Sequence, residues 1–150
     1  TLATLVNVVS NDVIEFVYEN NKFSCLAYGV ITIDEIYRKT DKDSNCKKSI
    51  EKFYNKNKYL IYYTNSKMKV YQLYPVIFKK DNRCIVNIAG EKTLSEFLLE
   101  KGLAVKKLLF EDKEYAYYFY QAEQKAKTNE EGIWKENIAR ECASYIGNLE

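Results

Sequence analysis

Few side chains in this sequence can do chemistry, and they are sparse enough to weigh one at a time. There is no histidine, which removes the commonest catalytic base, the commonest zinc ligand and every histidine-based triad. Only three arginines occur, Arg38, Arg83 and Arg140, so a guanidinium fork for phosphate or carboxylate is scarce. Asp12 closes the turn trio Ser10-Asn11-Asp12, and Asp34-Glu35 follows an apolar run. Each has a plain structural reading: Asp12 as a turn residue, Arg83 as an ion-pair partner of Asp12 or Asp34, and Asp34-Glu35 as a loop cap or solvated acids. Four cysteines stand at 25, 46, 84 and 142 with no C-x-x-C, and without histidine the usual zinc sets cannot be assembled. They are either four buried reduced thiols or two disulfides with three possible connectivities. Their even count and wide spacing favour an oxidising compartment, secreted or periplasmic. The first residue, Thr1, fits removal of a leader and equally a trimmed chain.

The charge is unevenly placed. Residues 36–83 hold 13 Lys/Arg against 4 Asp/Glu, a local +9 within a chain of net +2, so the remainder sums to −7. Such a run is ordinarily a solvated face, and its functional reading is a surface for phosphate or anionic lipid. At 150 residues, 47% hydrophobic and 29% charged, the chain fills one domain core and is not disordered. No apolar run approaches the ~18 residues of a membrane span.

The elements that must position these residues follow from patterning. Residues 3–9 and 13–18 are short β-rich runs, 23–33 reads as a long buried strand, and the three form a meander. A polar loop at 38–45 precedes a helix carrying Cys46, Ile50, Phe53 and Tyr54 at helical spacing, with Ser44 or Asn45 as N-cap. Residues 58–64, 68–79, with Pro75 bending the run or marking an edge, and 84–88 return to strand character. Thr93-x-x-Glu96 is a capping box opening a helix with Leu94, Phe97 and Leu98 inward, ended by Gly102. A strand-like stretch at 103–110 leads to a helix over about 113–128, whose Tyr115, Tyr117, Tyr118 and Tyr120 are expected to pack. Gly132 stops it, and Ile133-Trp134 offers an apolar anchor. The order is α+β, compatible with a five-stranded Greek-key barrel with peripheral helices.

Four strings carry a resemblance. ATLVNVVSNDVIEFVY, KKDNRCIVNI, EFLLEKGLAV and AEQKAKTNEEGIW resemble, in order, the first hairpin, an arginine-bearing strand, a helix ending in Gly-Leu-Ala and the last helix of the staphylococcal-nuclease (thermonuclease) family. The resemblance covers roughly residues 3–34 and 80–134. It implies an OB barrel of five strands with about three helices, formed by residues 1–134, with 135–150 a C-terminal tail packed on it or extending from it. The family hydrolyses DNA and RNA phosphodiesters with one calcium ion held by two aspartates, a glutamate assisting water and two arginines binding phosphate.

Carried over position by position, the first metal aspartate is Asp12. The first arginine falls on Leu26 or, gapped, Ser24. The second aspartate falls on Ile31 or Gly29, and the glutamate on Asp34 or Thr32. The second arginine is Arg83, with Lys79 and Lys80 beside it as phosphate-binding candidates. Two pocket tyrosines fall on Leu108 and Phe110. Loss of a carboxylate lowers calcium affinity, loss of a transition-state donor costs roughly 10²–10³ in rate, and a base displaced by ~1 Å is out of reach. The implied site is therefore degenerate. No cofactor is expected, calcium being the one an active site would need. The resemblance also implies the disulfides Cys25–Cys84, inside the barrel, and Cys46–Cys142, pinning the tail to the first helix. The function expected is a binding module for a protein partner or single-stranded nucleic acid, with a divergent calcium-dependent nuclease as the alternative. The sequence leaves the oligomeric state open.

Overall fold

A computed structural model of the chain describes residues 1–148. Five strands carry the barrel: β1 (Leu2–Val8), β2 (Val13–Tyr18), β3 (Asn21–Ala27), β5 (Leu73–Phe78) and β6 (Arg83–Ala89). They lie in the order β3-β2-β1-β5-β6, and a parallel pairing of β3 with β6 closes the ring. At the seam Leu26 stands opposite Arg83 and Ala27 opposite Cys84. Closure removes the free edges an open sheet would expose. Alternate residues point inward, so Ala3, Leu5, Ile14, Phe16, Cys25, Ala27, Tyr74, Val76, Cys84 and Val86 fill the interior. The α+β barrel with peripheral helices is the architecture the resemblance implied.

The stretch 23–33 is not one strand. Gly29 turns the chain at φ +76°, and a Cβ there would meet the Phe110 ring at 2.7 Å. The short strand β4 (Val30–Thr32) follows and pairs with β8 (Ala104–Lys106). Then comes a helix, α1 (Ile33–Lys39), which takes in Ile33, expected in the strand, and Arg38 and Lys39, expected in the polar loop; Thr32 caps it by accepting from the Glu35 N–H. Helix α2 (Asn45–Lys56), capped by Ser44, buries Cys46, Ile50 and Phe53.

Residues 58–64, expected as strand, form a 3-10 helix (Lys58–Tyr62) and the start of α3 (Tyr63–Lys67). Tertiary contacts override the β propensity of this tyrosine-rich run. Buried Asn11 donates from its side chain to the Leu60 carbonyl at 2.7 Å and accepts at its side-chain oxygen from the Thr64 N–H at 3.0 Å, while the Thr64 hydroxyl donates to its backbone carbonyl at 2.6 Å. Of 68–79 only β5 is strand, and of 103–110 only β8.

The two-residue strand β7 (Lys92–Thr93) leads into α4 (Leu94–Glu100), which carries the complete Thr93/Glu96 capping box. The helix ends in a Schellman arrangement, with the Gly102 N–H on the Leu99 carbonyl and the Leu103 N–H on the Leu98 carbonyl. Helix α5 (Ala116–Thr128) ends four residues before Gly132, which instead opens a 3-10 turn, Gly132–Trp134. Tyr117, Tyr118 and Tyr120 do not pack as expected: they are 65%, 57% and 50% exposed, because Phe119, Ala122 and Ala126 supply the buried face. The short helices α6 (Ile138–Glu141) and α7 (Ala143–Asn148) follow.

Two disulfides, Cys25–Cys84 and Cys46–Cys142, have Cα separations of 5.4 and 4.7 Å, within the range such bonds require. The first staples the β3–β6 seam from inside, and the second ties the C-terminal end of α6 to α2. Both are compatible with an oxidising compartment. Among the described residues no helix is long and apolar enough to cross a membrane.

Candidate functional site

The site forms where the β1–β2 turn, the β3–β6 seam and α1 meet. Asp12, fully buried, presents both carboxylate oxygens to Arg38: Nη1 donates to Oδ1 at 3.1 Å and Nη2 to Oδ2 at 2.7 Å. The Ser10 hydroxyl adds a bond to Oδ1 at 2.7 Å. Burial pushes the Asp12 carboxyl up, but the Arg38 hydrogen bonds and charge, with the Ser10 and Thr32 hydroxyls, outweigh it and hold the group below its ordinary value.

Arg83 reaches the same region from β6. Its Nη1 donates to the Ala27 carbonyl at 3.1 Å and its Nη2 to Glu35 Oε2 at 3.0 Å. Lys39 donates to that same oxygen at 3.2 Å. Glu35 is 2% exposed, and its other oxygen, Oε1, has no hydrogen-bond partner. The carboxylate beside Arg83 is therefore Glu35, one residue beyond the implied Asp34. Asp34 faces the other side of α1, where it accepts from the Tyr54 hydroxyl at 2.5 Å and from the Asn11 N–H at 3.2 Å. Burial raises its pKa, with Asp12's charge adding to the rise, and the Tyr54 and Asn11 bonds and Arg38's charge do not cancel it.

The remaining implied positions fall as follows. Leu26 stands beside Arg83 across the seam, at the position the resemblance gives to the first arginine. Ile31 is buried in the core, and Gly29 lies under the Phe110 and Phe119 rings. Lys79 is occupied by Asp112 at 3.7 Å and lies 5.3 Å from the Tyr28 ring centroid, whereas Lys80 is exposed. Leu108 is 74% exposed and Phe110 stacks on Phe119.

The sequence signal for Glu35 and Arg38 existed. Thr32-x-x-Glu35 has the spacing of a capping box, and acids at 34–35 followed by bases at 38–39 fit the two ends of a short helix. In Thr93/Glu96 the glutamate turns back to its cap. Glu35 instead reaches out to Arg83, and Arg38, three residues on, meets Asp12.

Calcium, which the resemblance implies, does not fit these residues. A hard cation needs several oxygen ligands, yet Asp12's oxygens are engaged by a guanidinium, and no group of three or more His, Cys, Asp or Glu able to hold a metal occurs among the described residues. Beside the seam lies a cleft of about 520 Å³ lined by Val13, Phe23, Leu26, Glu35, Arg38 and Lys39, among others. It is mainly apolar at its floor and charged along one wall.

A closed five-stranded barrel with this cleft at its seam is a nuclease-type OB fold. The sequence model of the family described as staphylococcal nuclease homologue matches residues 31–136, and the chain belongs to that family. The matched stretch begins after Asp12, so that residue enters the site through barrel closure. Among curated proteins no match to the chain is found.

Proposed function

We propose that this is a catalytically silent member of the staphylococcal nuclease homologue family, working as a binding module in an oxidising compartment. The observation that carries this is the two-pronged Arg38–Asp12 pair. A guanidinium held by both oxygens of a buried carboxylate supplies the compensating charge that a metal would otherwise supply. Displacing it would break two charge-assisted hydrogen bonds at a buried carboxylate. Leu26 in place of a phosphate-binding arginine, and Arg83 engaged by Glu35, support the same reading.

Calcium binding tests it. A site of ordinary extracellular affinity, facing about 10 mM calcium, would add on the order of 1–3 kcal/mol to stability. The expected result is an unchanged Tm with calcium or with chelator. A calcium-dependent rise that disappears in Asp12→Ala would refute the proposal.

A second reading, as a nucleic-acid module, is favoured by one surface away from the cleft. Lys48, Lys52 and Lys56 recur at four-residue spacing on α2, and Tyr59 and Tyr62 follow beyond Lys58 at 69% and 65% exposure. Rings beside ammonium groups suit single strands. Binding there would fall steeply with salt, and salt-independent or absent binding removes this reading.

A further inference from the structure

We infer that the cleft beside the β3–β6 seam takes an apolar side chain ending in a neutral N–H or O–H donor, presented by a protein partner. This deepens the silent-module reading and rests on it. The argument starts from Glu35. Its Oε2 accepts from both Arg83 and Lys39, so its charge is already compensated twice over. Its Oε1 is buried without a partner, and a buried acceptor left open is costly, at about 1–3 kcal/mol. A donor arriving with a ligand satisfies it. Because the carboxylate is already paired, that donor need not be cationic, and the ammonium of Lys39 and guanidinium of Arg38 on the same wall disfavour a cation.

Phosphate is disfavoured for the complementary reason. A phosphodiester has no proton to give Oε1, Leu26 offers no charge, and each Nη of Arg83 already spends one N–H, on Ala27 and on Glu35. Val13, Phe23 and Leu26 instead offer an apolar floor, and about 520 Å³ lies within the range of small-ligand clefts. An aromatic side chain with a polar tip fits both halves: the ring covers the floor and the tip donates to Oε1. A buried polar group that selects for its partner rejects the analogue lacking it.

The test is an NMR titration of the intact protein with N-acetyl-tyrosinamide, N-acetyl-phenylalaninamide and dimethyl phosphate, following Val13, Phe23, Ser24 and Leu26. These amides differ only in the hydroxyl donor. The tyrosine amide is expected to bind about fivefold more tightly, the worth of one net hydrogen bond. Glu35→Gln narrows that gap. Should Glu35→Gln fail to fold, Leu26→Arg, at a half-buried position, fills the cleft and abolishes binding of both amides. Equal affinity for the two amides, phosphate moving these same resonances, or no binding by either amide overturns the inference. Calcium-dependent cleavage would instead overturn the silent reading beneath it.

Discussion

Asp12, in the β1–β2 turn, and Asp34, on α1, belong to one site and are driven in opposite directions. Asp12's carboxyl is held below its ordinary value of 3.8, so its contribution to stability is present above that value and lost as pH falls through the folded value. Asp34's is held above 3.8, so its contribution is present below 3.8 and lost as pH rises through the folded value. Asparagine reproduces the protonated form of Asp34 and carries no such loss. The stability of Asp34→Asn relative to the native chain should therefore rise between pH 3.8 and neutrality, each kcal/mol appearing as roughly 2–4 °C in Tm for a chain of this size. Thermal melts across that range read it, and a relative stability that falls with pH would contradict the assignment. That Asp12, Leu26 and Arg83 come to one end of the barrel was legible from the resemblance. Glu35 was not taken as Arg83's partner, because both registers of the resemblance, ungapped and gapped, put the glutamate elsewhere, on Asp34 or Thr32. Arg38 was passed over because its helix was read as loop.

The elements show where patterning is a sufficient guide and where it is not. Strands β1, β2 and β5 alternate, and the capping box at Thr93 announced α4. The run 58–64 misled, because what fixes it is Asn11, some fifty residues away in sequence, and no local pattern encodes that contact. The junction of α4 with the last 3-10 turn is likewise a tertiary matter. Gly102 adopts φ +70°, and a Cβ there would lie 2.1 Å from the Glu131 carbonyl oxygen. The Ile133 N–H in turn bonds the Gly102 carbonyl at 2.8 Å. Gly102→Ala should cost at least about 2 kcal/mol in denaturant unfolding, from backbone strain and the clash together. A cost below about 0.5 kcal/mol would mean the two segments do not meet this closely.

For the whole molecule, one of the two cross-links sets how far the C-terminal segment belongs to the barrel. Cys46–Cys142 spans a sequence separation of 96 residues and holds a helix whose Ile138 is fully buried. Cys142→Ser should lower stability by about 2–5 kcal/mol and speed amide exchange in α6 while leaving the barrel strands protected. Unchanged stability would mean that core packing alone holds the segment. The basic surplus of residues 36–83 also resolves at this scale: Arg38, Lys39, Lys79 and Arg83 are spent on internal ion pairs, while the α2 lysines face solvent. A charge sum along the sequence cannot separate the two groups, because only the fold decides which cations find carboxylates.

We propose that a guanidinium has taken the metal's place at Asp12, leaving a nuclease fold without nuclease chemistry. Incubating the purified protein with single-stranded DNA and RNA, in millimolar calcium or in chelator, tests it most directly. Intact substrate is expected in both conditions. Cleavage that requires calcium and vanishes in Asp12→Ala would contradict it.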